Sequence, residues 1–134
     1  MKRIVSSWLV SILVVVAVAG CDSGPKLGAV SGTITFDGKP MEKTTITFTH
    51  AEGRTAFART NAEGYYELKF SDGRDGALLG ENAVAIETAR VGRDENGNIV
   101  EFPETLPARY NVESELTRVI ESGAQVLDFA LTKE

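Results

Sequence analysis

The stretch "VSGTITFDGKPMEKTTITFT", residues 30–49, decides the fold. Val30, Ile34 and Phe36 share one parity, and Ser31, Thr33 and Thr35 share the other. That period of two puts an apolar face and a wet face on one extended strand. The pattern stops at Asp37-Gly38-Lys39-Pro40 and resumes with Ile46 and Phe48 inward and Thr45, Thr47 and Thr49 outward. Asp-Gly is a turn dipeptide. Pro40 cannot donate to a central ladder, so a connection longer than two residues is predicted. Threonine at the outward positions is what a strand on a wet surface favours.

The same alternation extends in both sequence directions from this pair. "RTAFART" (54–60) is a weaker strand, Asn61 to Gly64 is a turn, and "YYELKF" (65–70) places Tyr66, Leu68 and Phe70 on one face. Residues 71–80 read as a glycine-rich loop, and "NAVAIETA" (82–89) as a strand centred on Val84 and Ile86. Asn96-Gly97 is a hairpin-turn signal. Pro103 and Pro107 mark an irregular crossing loop over 101–111. "ELTRVI" and "QVLDFALT" close the series around the turn "ESGA", with Leu127, Phe129 and Leu131 facing in. No segment after the leader has a sustained helical period. Seven main strands at roughly 8–12-residue spacing predict an all-β sandwich.

The order of these motifs resembles the carboxypeptidase regulatory-like domain. Its usual pattern of G-x-V, a D-G-K-P turn, a Val/Thr-rich strand and a T-[DN]-x-x-G-x-[YF] entry is met by Gly32-Thr33-Ile34, by Asp37 to Pro40, and by Thr60-Asn61-Ala62-Glu63-Gly64-Tyr65-Tyr66. "LPARYN" and "ESELTRVIESGAQVLDFAL" are similar to the C-terminal part of small bacterial lipoproteins carrying this domain, and "LLGENAVAI" departs from the family's Gly-x-Tyr-x-Val strand. The resemblance covers most of residues 28–132. It implies a seven-stranded, Greek-key, transthyretin-like (prealbumin-like) β-sandwich. It implies no peptidase, because in true carboxypeptidases the catalytic domain is a separate one.

Residues 1–20 read as a signal-peptide helix. Lys2 and Arg3 precede an apolar run from Ile4 to Ala19, and small residues precede Cys21. The run falls short of the roughly 20 apolar residues of a membrane-spanning helix. Val18-Ala19-Gly20-Cys21 resembles the bacterial lipobox. In that family the cysteine is lipidated, the leader is cut before it, and the new amino terminus is acylated with a fatty acid such as palmitate. Cys21 is the chain's one cysteine, so it has no internal disulfide partner. The expected organisation is a leader (1–20), a lipidated tether (21–28) and a β-sandwich domain (29–134). The domain is then held at the cell membrane by acylated Cys21 on the extracytoplasmic, periplasmic side. Asp22 resembles the inner-membrane retention signal of some Gram-negative bacteria.

Charge narrows the partners. Without Lys2 and Arg3 the chain has 12 basic residues against 19 acidic ones, a formal charge of −7. Nucleic-acid binding is driven by phosphate neutralisation, so no nucleic acid is expected. His50 is the one histidine, and an H-x-x-E zinc pair would need an acid where Gly53 stands. Asp94, Asn96 and Asn98 have the opening spacing of a calcium loop, but Ile99 and Thr105 stand where that loop needs Gly and Glu. The segment is sufficiently explained as an Asn-Gly turn. The reading is therefore a non-catalytic module without cofactor or metal, binding an envelope protein or glycan or acting structurally. The alternative is a calcium, small-ligand or glycan module that uses the acidic loops 71–80 and 91–105.

Overall fold

The computed structural model describes residues 24–134. The predicted leader helix and Cys21 lie outside the described residues. Within them the chain is all-β. Its strands are β1 (Leu27–Phe36), β2 (Lys39–Pro40), β3 (Thr45–His50), β4 (Thr55–Arg59), β5 (Tyr65–Glu67), β6 (Lys69–Phe70), β7 (Ala77–Leu78), β8 (Gly80–Glu87), β9 (Arg90–Arg93), β10 (Ile99–Phe102), β11 (Thr117–Ile120), β12 (Gly123–Val126) and β13 (Phe129–Leu131). One 3-10 turn, Ala108–Tyr110, lies between β10 and β11.

The strands form two main sheets. One is built around β1, with β7, β5 and β2 antiparallel along one edge and β12 and β13 parallel along the other. The second runs β11-β8-β3-β4-β6 and is antiparallel throughout. Their inward residues make one core. Ile34 from the first sheet and Ile46, Phe48 and Ile86 from the second are each 0% exposed. Phe48 meets Phe129 edge-to-face across the interior, ring centroids 6.4 Å apart. Each such side chain contributes about 1.5–3 kcal/mol on burial.

Of the predicted inward residues, Val30, Ile34, Ile46, Phe48, Tyr66, Leu68, Phe70, Val84, Ile86, Phe129 and Leu131 are buried, while Phe36 and Leu127 are only half-buried and pack against that core. Segmentation differs from the seven main strands expected. "YYELKF" is one run in sequence, yet β5 pairs with β1 in the first sheet and β6 with β4 in the second. The run therefore crosses between sheets at Leu68, whose amide donates to Val30 O (2.9 Å). "QVLDFALT" is likewise divided into β12 and β13.

Three local expectations are corrected. The Asp37-Gly38 connection is a tight two-residue turn, with Phe36 paired to Lys39. Both turn residues take positive φ, +49° and +82°, as the favoured two-residue hairpin turn requires. Pro40 sits at an edge, where its missing N–H removes no central ladder bond. The boundary at 28/29 falls inside β1, since Leu27 and Gly28 pair with Leu78 and Ala77. Residues 71–80 are only partly loop, because Ala77 and Leu78 are buried and form β7.

Candidate functional site

The residues singled out in the sequence do not converge. His50 closes β3 with both ring nitrogens engaged by backbone: Glu52 N donates to Nδ1 (3.1 Å), and Nε2 lies 3.1 Å from Leu79 O. Nδ1 must then accept and Nε2 donate, which fixes a neutral tautomer holding the β3–β4 turn against the β7–β8 corner. No ring nitrogen is left over for a ligand or a nucleophile.

Asp94, Asn96 and Asn98 do come together, at the tip of the β9–β10 hairpin. The Asp94 carboxylate accepts from Asn96 N (2.9 Å), Asn98 N (2.9 Å) and Asn98 Nδ2 (3.2 Å). Hydrogen bonds led by that from the Asn98 amide hold its pKa below the usual carboxylate value. Asn96 thus meets Asp94 through its backbone amide, and Asn98 through both its backbone and its side-chain amide. Among the described residues no three His, Cys, Asp or Glu side chains are grouped so as to hold a metal. Millimolar Ca²⁺ is expected to move the melting temperature by less than about 1 °C, since a ligand of the folded state must stabilise it. A larger rise would establish a calcium site.

The outer face of the first sheet carries a groove of about 300 Å³. Ala29 and Ser31 of β1 form its floor, Glu67 and Asp75 one rim, and Ala124 and Val126 the other. The rim carboxylates are engaged: Tyr65 Oη donates to Glu67 Oε1 (2.9 Å), and Lys69 pairs with Asp75. The outward threonines are divided between the sheets, Thr33 and Thr35 on β1 and Thr45, Thr47 and Thr49 on β3. Thr33 is occupied by Asp128, whose Oδ1 accepts from its amide (2.8 Å) and hydroxyl (3.1 Å).

Sequence reasoning missed the most densely bonded side chain of the surface, Glu104. Its carboxylate accepts from Thr88 N (3.0 and 2.9 Å), Thr88 Oγ1 (2.6 Å), Ala89 N (3.3 Å) and Leu106 N (3.0 Å). Thr105 N in turn donates to Thr88 Oγ1 (2.8 Å). Partial burial pushes the Glu104 pKa up, but these donors outweigh it and hold the group below its ordinary value. The clamp closes the root of the β9–β10 hairpin, which pairs with neither main sheet. A glutamate between two prolines, in "FPETLP", was the one signal available in the sequence.

Among the described residues no helix is long and apolar enough to cross a membrane. Neither a protein-family model nor a curated protein matches the chain. Among solved structures, a 9R-lipoxygenase from Cyanothece PCC8801 aligns over 82% of this chain at 16% identity and a TM-score of 0.38, and the chain spans 17% of that protein's length.

Proposed function

We propose that the protein is a lipid-anchored, extracytoplasmic lipoprotein whose non-catalytic β-sandwich serves as a binding or structural module at the cell envelope. One observation carries this reading: the order of Lys2-Arg3, the apolar run to Ala19, and Val18-Ala19-Gly20-Cys21 followed by the polar Asp22-Ser23-Gly24-Pro25. A thiol placed there is chemically suited to acylation. Two or more acyl chains, at about 0.8 kcal/mol per buried methylene, anchor a protein stably. The domain is read as a seven-stranded Greek-key sandwich of transthyretin-like type. The turns at Asp37-Gly38 and Asn61–Gly64 support it, since they fall where the resemblance needs them. The non-catalytic role is supported by His50, the rim carboxylates and Asp94 all being engaged in turns, pairs or corners.

Cys21→Ser tests the anchor. Wild-type chain is expected to incorporate labelled palmitate and stay with membranes through a carbonate wash. The variant is expected to lose the label and to run larger by the uncut leader. A variant that keeps the label, or is wild-type in size and still membrane-bound, would refute the anchor.

A further inference from the structure

We infer that Asn96-Gly97, at the tip of the β9–β10 hairpin, is a self-modification site. There the chain converts its own asparagine to aspartate and isoaspartate, without enzyme or cofactor, and so opens the tip as the molecule ages. The inference goes beyond the proposed function and does not depend on the anchor. Asparagine is among the thermolabile residues, because the backbone nitrogen of the next residue can attack its side-chain carbonyl. That nitrogen must be uncrowded, and the carboxamide must be free to turn toward it.

Of the chain's five asparagines only Asn96 meets both conditions. It alone precedes a glycine: Asn61 and Asn82 precede alanine, Asn98 precedes Ile99 and Asn111 precedes Val112. Gly97 has no β-carbon to shield its nitrogen, and no atom lies within 4 Å of the place where that carbon would stand. The other four carboxamides are tied down. Asn61 Oδ1 accepts from the amides of Glu63 and Tyr65 (both 3.0 Å). Asn82 Nδ2 donates to Leu78 O (2.9 Å), Asn98 Nδ2 to Asp94 Oδ2 (3.2 Å) and Asn111 Nδ2 to Pro107 O (3.2 Å). Asn96 is exposed, and among the described residues it is hydrogen-bonded only through its backbone amide, to Asp94 Oδ1.

The reaction needs only water. Gly97 N forms a bond to Asn96 Cγ, the Cγ–Nδ2 bond breaks, and the amide proton leaves with the side-chain nitrogen as ammonia. Water then opens the five-membered imide. Attack at Cγ breaks its bond to Gly97 N and yields aspartate. Attack at the main-chain carbonyl carbon breaks the original peptide bond and yields isoaspartate, whose chain runs on through Cβ and Cγ. The turn itself is the brake: Gly97 N donates to Asp94 O (3.1 Å), and that bond must open before the nitrogen can turn to Cγ. It lies at the exposed tip of an arm that pairs with neither main sheet, where local opening costs least.

Isoaspartate lengthens the main chain inside the turn by one carbon–carbon bond, about 1.5 Å. The bonds from Gly97 N to Asp94 O, from Asn98 N to Asp94 Oδ1 (2.9 Å) and from Asp94 N to Asn98 O (3.0 Å) all span that insertion. The new carboxylate also stands beside Asp94 and Glu95, and like charges repel. The rung nearest the tip, Ile99↔Arg93, then loses its register. The main sheets share no ladder with the arm and keep theirs.

The test compares the full-length chain fresh and after days at neutral pH and growth temperature. Trypsin releases residues 94–109 as one peptide. This peptide is expected to gain the mass of exchanging NH for O, placed at 96 by fragmentation, and part of it should become a substrate for isoaspartyl methyltransferase. The rate at 96 should exceed that at the other four asparagines by roughly tenfold or more, since only Gly97 lacks a β-carbon. Asn96→Gln, which would have to close a six-membered imide, should lose the gain. Hydrogen exchange in the aged wild type should quicken over 91–100 and stay unchanged at Ile46, Phe48 and Ile86. Fresh Asn96→Asp, which adds the charge without the extra chain atom, should show the smaller part of that quickening. A gain at 96 no faster than at the other asparagines, a gain that survives Asn96→Gln, aspartate without isoaspartate, or aged arm amides no faster than those of fresh wild type or fresh Asn96→Asp overturns the inference.

Discussion

Gly32→Ala is expected to destabilise the domain by about 3 kcal/mol or more, an overpacking cost at its upper end because the clash is with main chain. A β-carbon on Gly32 would lie 2.0 Å from Leu127 O and 2.7 Å from its carbonyl carbon. Those atoms cannot rotate away, because they sit at the interruption between β12 and β13 where three elements are joined. Leu127 N donates to Ser31 O (2.8 Å), Asp128 Oδ1 takes the Thr33 amide, and Tyr66 Oη donates to Leu127 O (2.6 Å). Burial, with Asp128 nearby, pushes the Tyr66 hydroxyl well above its ordinary pKa, so it stays a donor at any physiological pH. Gly53→Ala is the control. Gly53 has φ +85° with nothing within 4 Å of its added carbon, so only backbone strain of about 1–2 kcal/mol applies. Urea midpoints of the two variants against wild type decide the matter. A Gly32→Ala midpoint equal to or above that of Gly53→Ala would mean the β12–β13 interruption is free to relax.

Gly32 also shows where sequence reading reached and where it stopped. Parity alone placed Val30, Ile34, Ile46 and Phe48 in the interior, because a strand with one wet face must bury every second residue. Asn96-Gly97 marked a real hairpin, since its left-handed backbone demand is local. Parity is blind to which strand lies alongside. Tyr66, Leu68 and Phe70 keep one inward phase while the run passes from one sheet to the other, so nothing in their spacing shows the crossing at Leu68. The parallel pairing of β1 with both β12 and β13 joins residues 95 apart, and no turn dipeptide records it. The candidate site was legible in the same limited way. The spacing of Asp94, Asn96 and Asn98 suggested ligands, and it did not show that Asp94 accepts turn bonds from the backbone amides of both asparagines. Glu104 acts through five contacts, four of them from Thr88 and Ala89, so the prolines beside it mark the position but not its partners.

Glu104→Ala is expected to loosen the root of the arm by about 2 kcal/mol, because the amides of Thr88 and Leu106 lose their acceptor in a half-buried place. The loss should be local before it is global. β9 and β10 lie outside both main sheets, so amides 88–106 can open without unpairing β8 from β3. Hydrogen exchange should quicken across 88–106 and stay unchanged at Ile46, Phe48 and Ile86. The pH dependence follows from the direction of the shift. The folded-state pKa of Glu104 lies below its ordinary 4.5, so its contribution is complete above that value. It fades as pH falls through the folded pKa, when the carboxylate gains a proton and loses acceptor strength. Wild-type arm amides should therefore quicken, after correction for intrinsic rates, as pH is lowered from 6 through this range. Glu104→Gln keeps the shape but cannot titrate, so its opening should be greater at pH 6 and should lose this fall below pH 4.5. If Glu104→Gln shows the same pH dependence as wild type, the acid-sensitive group lies elsewhere. If Glu104→Ala leaves exchange at 88–106 untouched, the clamp does not hold the arm.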